Sequence, residues 1–313
     1  MTINLVTGGT GFLGSNLIEH LINKNQKVIC LDNNITGNIK NLRKWKNDKR
    51  LEIIEHDIVD PIFINADRIW HLACPASPKI YKLNPIKTAK TSFLGTLNML
   101  ELAEKLKIKI FHASTSEIYG NPREHPQKES YWGYVNPIGI RACYNESKRI
   151  SETLCFDFKR MFNTNIRIAR IFNTYGPKMD QNDGRVISNF IVQALKSKPL
   201  KVYGNGNQTR SFCYVKDLII GINKLMESNY YAPINFGNPE ELTINQIAQM
   251  IRDMINPELE VLYEPLPLEN DEPERRMPDI KLAKKILDWK PTISIKDGLS
   301  KTINWFRKNI DFE

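Results

Sequence analysis

Tyr144 and Lys148 stand four residues apart in the stretch YNESK, inside a run whose pattern predicts a helix. That spacing puts both side chains on one helix face. An ammonium beside a phenol favours the phenolate and lowers the tyrosine pKa. Such a tyrosine can take or return a hydroxyl proton while a hydride moves to a nicotinamide. A second candidate is ASTSEIYG, residues 113–120, where Ser114, Thr115, Ser116 and the carboxylate of Glu117 follow the apolar run IKIFHA. Three alcohols and an acid at the end of a core strand read as solvated turn chemistry or as part of an active site. By itself the tyrosine–lysine spacing is common and usually marks a surface pair.

A third pattern raises the value of both. TGGTGFLG, residues 7–14, follows an apolar strand and opens a helix, with Gly8, Gly11 and Gly14 at G-x-x-G-x-x-G spacing. Gly8 permits a tight turn, Gly11 lets the backbone approach a pyrophosphate, and Gly14 allows close helix packing. The helix N-terminus then offers unpaired N–H groups to phosphate. The second strand ends at Asp32, at the interval expected for an acid that accepts from an adenosine ribose 2′-hydroxyl. No arginine follows at once, the run being Asp32-Asn33-Asn34, so NAD is favoured over NADP. Asp57, after the third strand, reads equally as a contact to the adenine edge or as a strand-end cap.

The elements that must hold these residues are legible as alternating patterns. INLVT, VICLD, EIIEHD, RIWHLA, IKIFHAS and IRIARIFN read as strands, with helical patterns such as GSNLIEHLINK and FLGTLNMLELAEKL between several of them. This alternation predicts an α/β fold, a doubly wound parallel sheet of Rossmann type with helices on both faces. The texture changes after Asn173. VISNFIVQALKSK, ELTINQIAQMIRDMI (N-cap Thr243), IKLAKKILDW and IKDGLSKTINWFRKNI read as helices, and LKVYG as a short strand. YEPLPLENDEPERRMPD carries too many prolines and charges for regular structure. Two domains follow: 1–172 for the dinucleotide, with part of 211–238 returning to it, and 173–313 as a smaller mixed α/β substrate domain.

Composition narrows the classes. The chain has 313 residues, 41% of them apolar, and a net charge of +9. Five scattered cysteines without C-x-x-C argue against a disulfide framework or a zinc site and read as buried small hydrophobes. With no H-E-x-x-H, no metal is expected. The basic run RKWKNDKR, residues 43–50, is accompanied by no nucleic-acid motif, so no nucleic acid is expected as a partner. No apolar run approaches a membrane span. MTINLVTGGTG enters a strand directly, so a cytoplasmic protein is the default, although a chain trimmed of an upstream anchor would read the same.

CPASP, GTLNML, YWGYVNPIGIRACYNESKR, ARIFNTYGPKM, VYGNGNQTRSFCYV and RRMPDIKLAKKILDWKP, in this order, add to the motifs above. Together the chain resembles the extended short-chain dehydrogenase/reductase family and, more closely, its UDP-glucuronate decarboxylases, or UDP-xylose synthases. In that family a bound NAD oxidises C4 of the glucuronosyl ring, the β-keto acid loses carbon dioxide, and the same NADH reduces the 4-keto-pentose to UDP-xylose. The resemblance implies that Tyr144 is the acid/base at O4, that Lys148 supports it and holds the nicotinamide ribose, and that Thr115 hydrogen-bonds O4. Ser116 and Glu117 fill the decarboxylase-type Ser-Glu pair, and Arg276 matches the arginine that approaches the sugar carboxylate. Phe12, Leu13, Asn33, Thr36, Gly37, Asp57, Ile58, Leu72 and Thr91 fall on the NAD side, and Lys90 near the carboxylate. Asn173, Arg185, Tyr203 and Arg210 fall on UDP.

The chain departs from the family pattern at Asn34-Ile35, Ser92 and Met277, none of which removes a proposed catalytic group. A homodimer through helices near 86–106 and 144–162 is also implied, although apolar faces there could equally face the sheet. A carboxylate beside the substrate carboxylate is an electrostatic problem. Either Arg276 relieves it or Glu117 is partly protonated. Other readings are release of UDP-4-keto-pentose, an epimerase or dehydratase on the same fold, and a non-catalytic NAD-binding regulator or RNA-binding scaffold. From Asp32, NAD should bind more tightly than NADP in equilibrium titration; equal affinities would remove Asp32 from that role.

Overall fold

A computed structural model of the chain describes residues 1–266, 273 and 275–310. Six strands, β1 (Ile3–Thr7), β2 (Lys27–Asp32), β3 (Leu51–Glu55), β4 (Arg68–His71), β5 (Lys109–Thr115) and β6 (Asn165–Ile171), coincide with the six apolar runs. With Ile234–Phe236 they form one seven-stranded sheet in the order β3-β2-β1-β4-β5-β6 and then Ile234–Phe236, every neighbour parallel. The helices are α1 (Phe12–Asn23), α2 (Pro78–Leu83), α3 (Pro85–Leu106), α4 (Ala142–Phe162), α5 (Val186–Leu195), α6 (Val215–Glu227), α7 (Ile244–Ile255), α8 (Lys281–Leu287) and α9 (Ile295–Asn309).

The two-residue period of a strand explains the layers. Leu5, Ile69, Ile110 and Ile166 pack with Met99, Ala103 and Cys155 of α3 and α4. Their neighbours Val6, Trp70 and Phe111 pack on the other face with Leu17, Leu21, Leu218 and Ile222 of α1 and α6. Each such side chain, once fully buried, contributes roughly 1.5–3 kcal/mol. Chain order in the sheet reverses between β1 and β4, and ligands bind outside the carboxyl ends of strands at such a switch point. The carboxyl ends of β1, β2 and β5 carry the glycine loop, Asp32 and Thr115.

The later part of the chain departs from expectation in two places. The helix expected from Glu241 begins at Ile244, because Glu241–Thr243 is a strand and Thr243 with Gln246 forms a capping box. The segment 263–279 was expected to lack regular structure. Yet Val261–Glu264 pairs with Leu200–Tyr203, and Arg275–Arg276 pairs with Thr209–Ser211, which also pairs with Glu241–Thr243. Partner strands impose these pairings where local composition argued against them. Residues 267–272 and 274 of that segment lie outside the described residues. The basic run 43–50 is tied down by Lys44–Glu19 and Arg50–Asp48 pairs and an Arg43–Asn309 hydrogen bond. All five cysteines are free; Cys30, Cys155 and Cys213 are buried as expected, whereas Cys74 and Cys143 are only half-buried.

Asp217, in the first turn of α6, locks the C-terminal helices to the sheet. Its carboxylate accepts from the Thr292 N–H at 3.0 Å, the Thr292 hydroxyl at 2.9 Å and the Ile293 N–H at 2.9 Å, and its carbonyl accepts from Trp289 Nε1 at 2.9 Å. Asp217→Ala removes the acceptor of the Thr292 and Ile293 donors, while the Trp289 bond to the main-chain carbonyl persists, and should cost about 1–2 kcal/mol, read as a lower urea midpoint.

Candidate active site

The turn between β1 and α1 is built for glycine. Gly8 has φ +71°, and a Cβ there would stand 2.9 Å from the Ala73 backbone. A Cβ on Gly14 would meet the Gly8 carbonyl oxygen at 2.1 Å. Gly11 is more open, its nearest neighbour being the Gly8 oxygen at 3.2 Å. It is the N-cap of α1, with no side-chain cap and no acid in the first turn, so the amides and the positive end of the dipole face outward. They face a cavity of about 490 Å³. Asp32 lines it, its Oδ2 accepting from Thr10 N–H and its Oδ1 from Asn34 N–H, both at 2.9 Å. Each carboxylate oxygen keeps a further lone pair for a ribose hydroxyl. Phe12, Leu13, Asn33, Thr36, Gly37, Ile58, Leu72, Thr91 and Arg185 line the same cavity. Open glycine flank, helix amides and strand-end acid form a donor and acceptor set that fits a dinucleotide.

Two expected contacts fall elsewhere. Asp57 is taken up by Lys87, by Asn33 Nδ2 at 3.0 Å and by the Val59 N–H at 3.1 Å, which matches the strand-end cap. Burial opposes its ionisation, but Lys87 and these donors outweigh that and hold its carboxyl below the usual range. Lys90 is exposed on α3 and is not brought to the cavity; Lys87, one turn earlier, lines it.

Tyr144, in the first turn of α4, is buried, stacks on Tyr81 at 5.1 Å with the rings 3° from parallel, and is hydrogen-bonded by Thr115 at the end of β5. Here the sequence expectation needs correction. Lys148 lies on the same helix one turn on, but its Nζ donates to the Ala113 carbonyl at 2.9 Å. Burial dominates the phenol and raises its pKa above the usual tyrosine value, with Thr115 and Arg185 opposing.

Glu117 lies in the single 3-10 turn Ser116–Tyr119 that follows β5, with Ser116 buried beside it. Its Oε1 contacts Arg276 Nη1, and its Oε2 accepts from Arg276 Nη2 at 3.2 Å and from Arg141 Nη2 at 2.6 Å. Burial disfavours the charge, but Arg276, Arg141 and Arg210 overcome it and lower the pKa to about 2. Partial protonation, one of the two sequence alternatives, is thereby set aside in favour of compensation by arginine. Arg276 pairs in strand register with Arg210. Arg210 bonds the Thr209 carbonyl at 2.9 Å. Arg185, the N-cap of α5, bonds the Ala76 carbonyl at 2.9 Å. Asn173 follows β6 and is half-buried, and Tyr203, the last residue of its strand, is exposed.

Arg141, Lys87 and Tyr81 were not singled out from sequence. Arg141 precedes Tyr144 by one helical turn, the only local signal it carried; Tyr81 and Lys87 meet their partners through tertiary packing.

The family profile described as GDP-mannose 4,6 dehydratase matches residues 5–302. UDP-glucuronic acid decarboxylase 3 of Arabidopsis thaliana is 52% identical over 297 residues, 94% of this chain and 86% of that protein. UDP-glucose 4-epimerase of Thermotoga maritima, solved with UDP-glucose, superposes with a TM-score of 0.91 at 28% identity, covering 99% of this chain and 100% of that one. UDP-glucuronic acid 4-epimerase of Bacillus cereus, solved with UDP-glucuronic acid and NAD, gives a TM-score of 0.87 at 26% identity, covering 98% and 99%.

The Glu117 charge sets a pH dependence. Its folded pKa of about 2 lies below the ordinary 4.5, so its stabilisation is complete above pH 4.5 and is lost as pH falls towards 2. Glu117→Gln should be less stable than wild type by about 3 kcal/mol or more at neutral pH, with the gap closing across that window in urea titrations.

Proposed function

The chain belongs to the GDP-mannose 4,6 dehydratase family and, within it, to the UDP-glucuronic acid decarboxylases; from that membership we propose that it is an NAD-dependent enzyme converting UDP-glucuronate to UDP-xylose. The observation that carries this reading is the ionised Glu117 held between Arg276 and Arg141, in the turn that directly follows Thr115.

The Gly8–Gly14 turn and Asp32 would hold NAD, whose nicotinamide would supply a hydride acceptor for C4 and the hydride for the later reduction. Thr115 holds O4 against Tyr144, which takes the hydroxyl proton as the phenolate and, as the phenol so formed, gives it back. Lys148, one turn along α4, contributes positive charge on that side. A C4 ketone is β to the C6 carboxylate. The C5–C6 bond therefore breaks with its electron pair passing to the ketone oxygen, and carbon dioxide leaves. Arg276 places positive charge against the departing carboxylate. Glu117, as an anion, has no proton to give; it accepts hydrogen bonds and orders a water beside C5, through which a solvent proton reaches C5 as the enolate returns to the ketone. Arg185, Arg210, Asn173 and Tyr203 of the 173–313 region cradle UDP, the arginine forks suiting diphosphate oxygens.

A homodimer through α3 and α4 belongs to the same reading, supported by exposed Ile86, Phe93, Ile150, Met161 and Phe162 on those helices. Among the described residues no helix is long and apolar enough to cross a membrane.

Incubation with UDP-glucuronate, with and without added NAD, should yield carbon dioxide and a UDP-pentose by mass spectrometry. UDP-galacturonate without carbon dioxide would identify an epimerase instead. Tyr144→Phe should lower turnover about 100-fold or more while UDP-glucuronate still binds.

A further inference from the structure

Glu117 and Arg276 come from places far apart in the chain, and a shared frame behind them sets their separation. Gln127 is completely buried. Its N–H donates to the Met277 carbonyl at 2.9 Å, its side-chain Oε1 accepts from the Met277 N–H at 2.9 Å, and its carbonyl accepts from the Asp279 N–H at 2.8 Å. Gln127 thus grips the chain on both sides of Pro278, directly after Arg276. Its Nε2 donates to the Glu124 carbonyl at 2.7 Å, so the side chain has one orientation.

The same frame reaches Glu117 through Asn235. The Asn235 Nδ2 donates to the Gln127 carbonyl at 3.0 Å and to the Asp279 carbonyl at 3.3 Å. Its Oδ1 accepts from the Tyr119 hydroxyl at 2.8 Å, and Tyr119 ends the turn that carries Glu117. Arg170 braces that hydroxyl from β6 at 3.0 Å and is itself held by Glu152 of α4 at 2.8 and 3.0 Å. Asn235 is fully buried in the edge strand of the main sheet. One amide therefore bonds to the carboxylate's turn with its oxygen and to the arginine's segment with its nitrogen.

We propose that Gln127, acting with Asn235, is a positioning residue that sets the distance between Glu117 and Arg276 and so controls the carbon dioxide-releasing half of the reaction. The inference rests on the decarboxylase reading above. Neither residue is among the groups assigned to the dinucleotide cavity or to the Tyr144–Thr115 pair. Disturbing the frame should therefore leave hydride transfer in place. Misplacement of reacting groups by about 1 Å costs on the order of 100-fold in rate.

The test separates the half-reactions. Wild type, Gln127→Leu, Gln127→Glu and Asn235→Asp are each assayed for carbon dioxide release from UDP-glucuronate and for NADH-dependent reduction of supplied UDP-4-keto-pentose, with bound NAD measured. Gln127→Leu should lower carbon dioxide release about 10- to 100-fold through kcat, with ketone reduction within about threefold and NAD content unchanged. Gln127→Glu keeps the oxygen that accepts from Met277 and should recover most of the loss. Asn235→Asp keeps the Tyr119 bond, loses both donated bonds and should show the same split; it decides the matter if Gln127→Leu does not fold. Equal loss of both half-reactions, or unchanged carbon dioxide release, overturns the proposal. Wild type that releases no carbon dioxide overturns the decarboxylase reading itself.

Discussion

A buried carboxylate held between guanidinium groups organises the catalytic half of this molecule. Removing Glu117 and two arginines from water is expensive, and only well-aimed bonds offset it. The alignment cannot come from Glu117 alone, which sits in a single 3-10 turn. It comes from what surrounds the turn: β5 in front, α4 bringing Arg141, and the short strand Arg275–Arg276 laid against Thr209–Ser211. The buried network of Arg170, Glu152, Tyr119, Asn235 and Gln127 then has a plain physical purpose. A charge pair of this kind is stable only within a narrow range of geometry, and a polar frame with its members bonded to one another is stiff.

The nucleotide half follows a different logic. Its contacts are offered mainly by backbone, at a turn where Gly8 and Gly14 leave no room for side chains. Asp32 braces that turn through Thr10 and Asn34, so the residue suited to a ribose hydroxyl also fixes the loop around it. Selectivity and local stability are joined in one carboxylate.

The degree to which each half was legible in the sequence reflects these two logics. Strand periodicity, the glycine spacing and Asp32 are local patterns, and the structure places them as read. Tyr144 and Lys148 do share a helix, but the burial that raises the phenol pKa and the Ala113 carbonyl that holds the ammonium are tertiary facts. Asp57 is held by Lys87, a partner that only the tertiary packing of α3 supplies. Lys87 lines the cavity and Lys90 is exposed, a matter of which face of α3 turns inward. Arg275–Arg276 looked irregular because nothing adjacent in sequence predicts its partner strand. Arg141 and Gln127 gave little sign, since their importance lies in bonds to residues far along the chain.

Glu117 and Arg276 are 159 positions apart. During synthesis the glycine turn, Asp32, Thr115, Glu117 and Tyr144 all leave the ribosome before the arginine that completes the pair, and domains tend to form in that order. A chain interrupted between Tyr144 and Arg276 carries the glycine turn and the tyrosine proposed to move the proton, yet lacks the arginine proposed to meet the sugar's carboxylate. The last contact to form is therefore also the one on which the proposed loss of carbon dioxide depends.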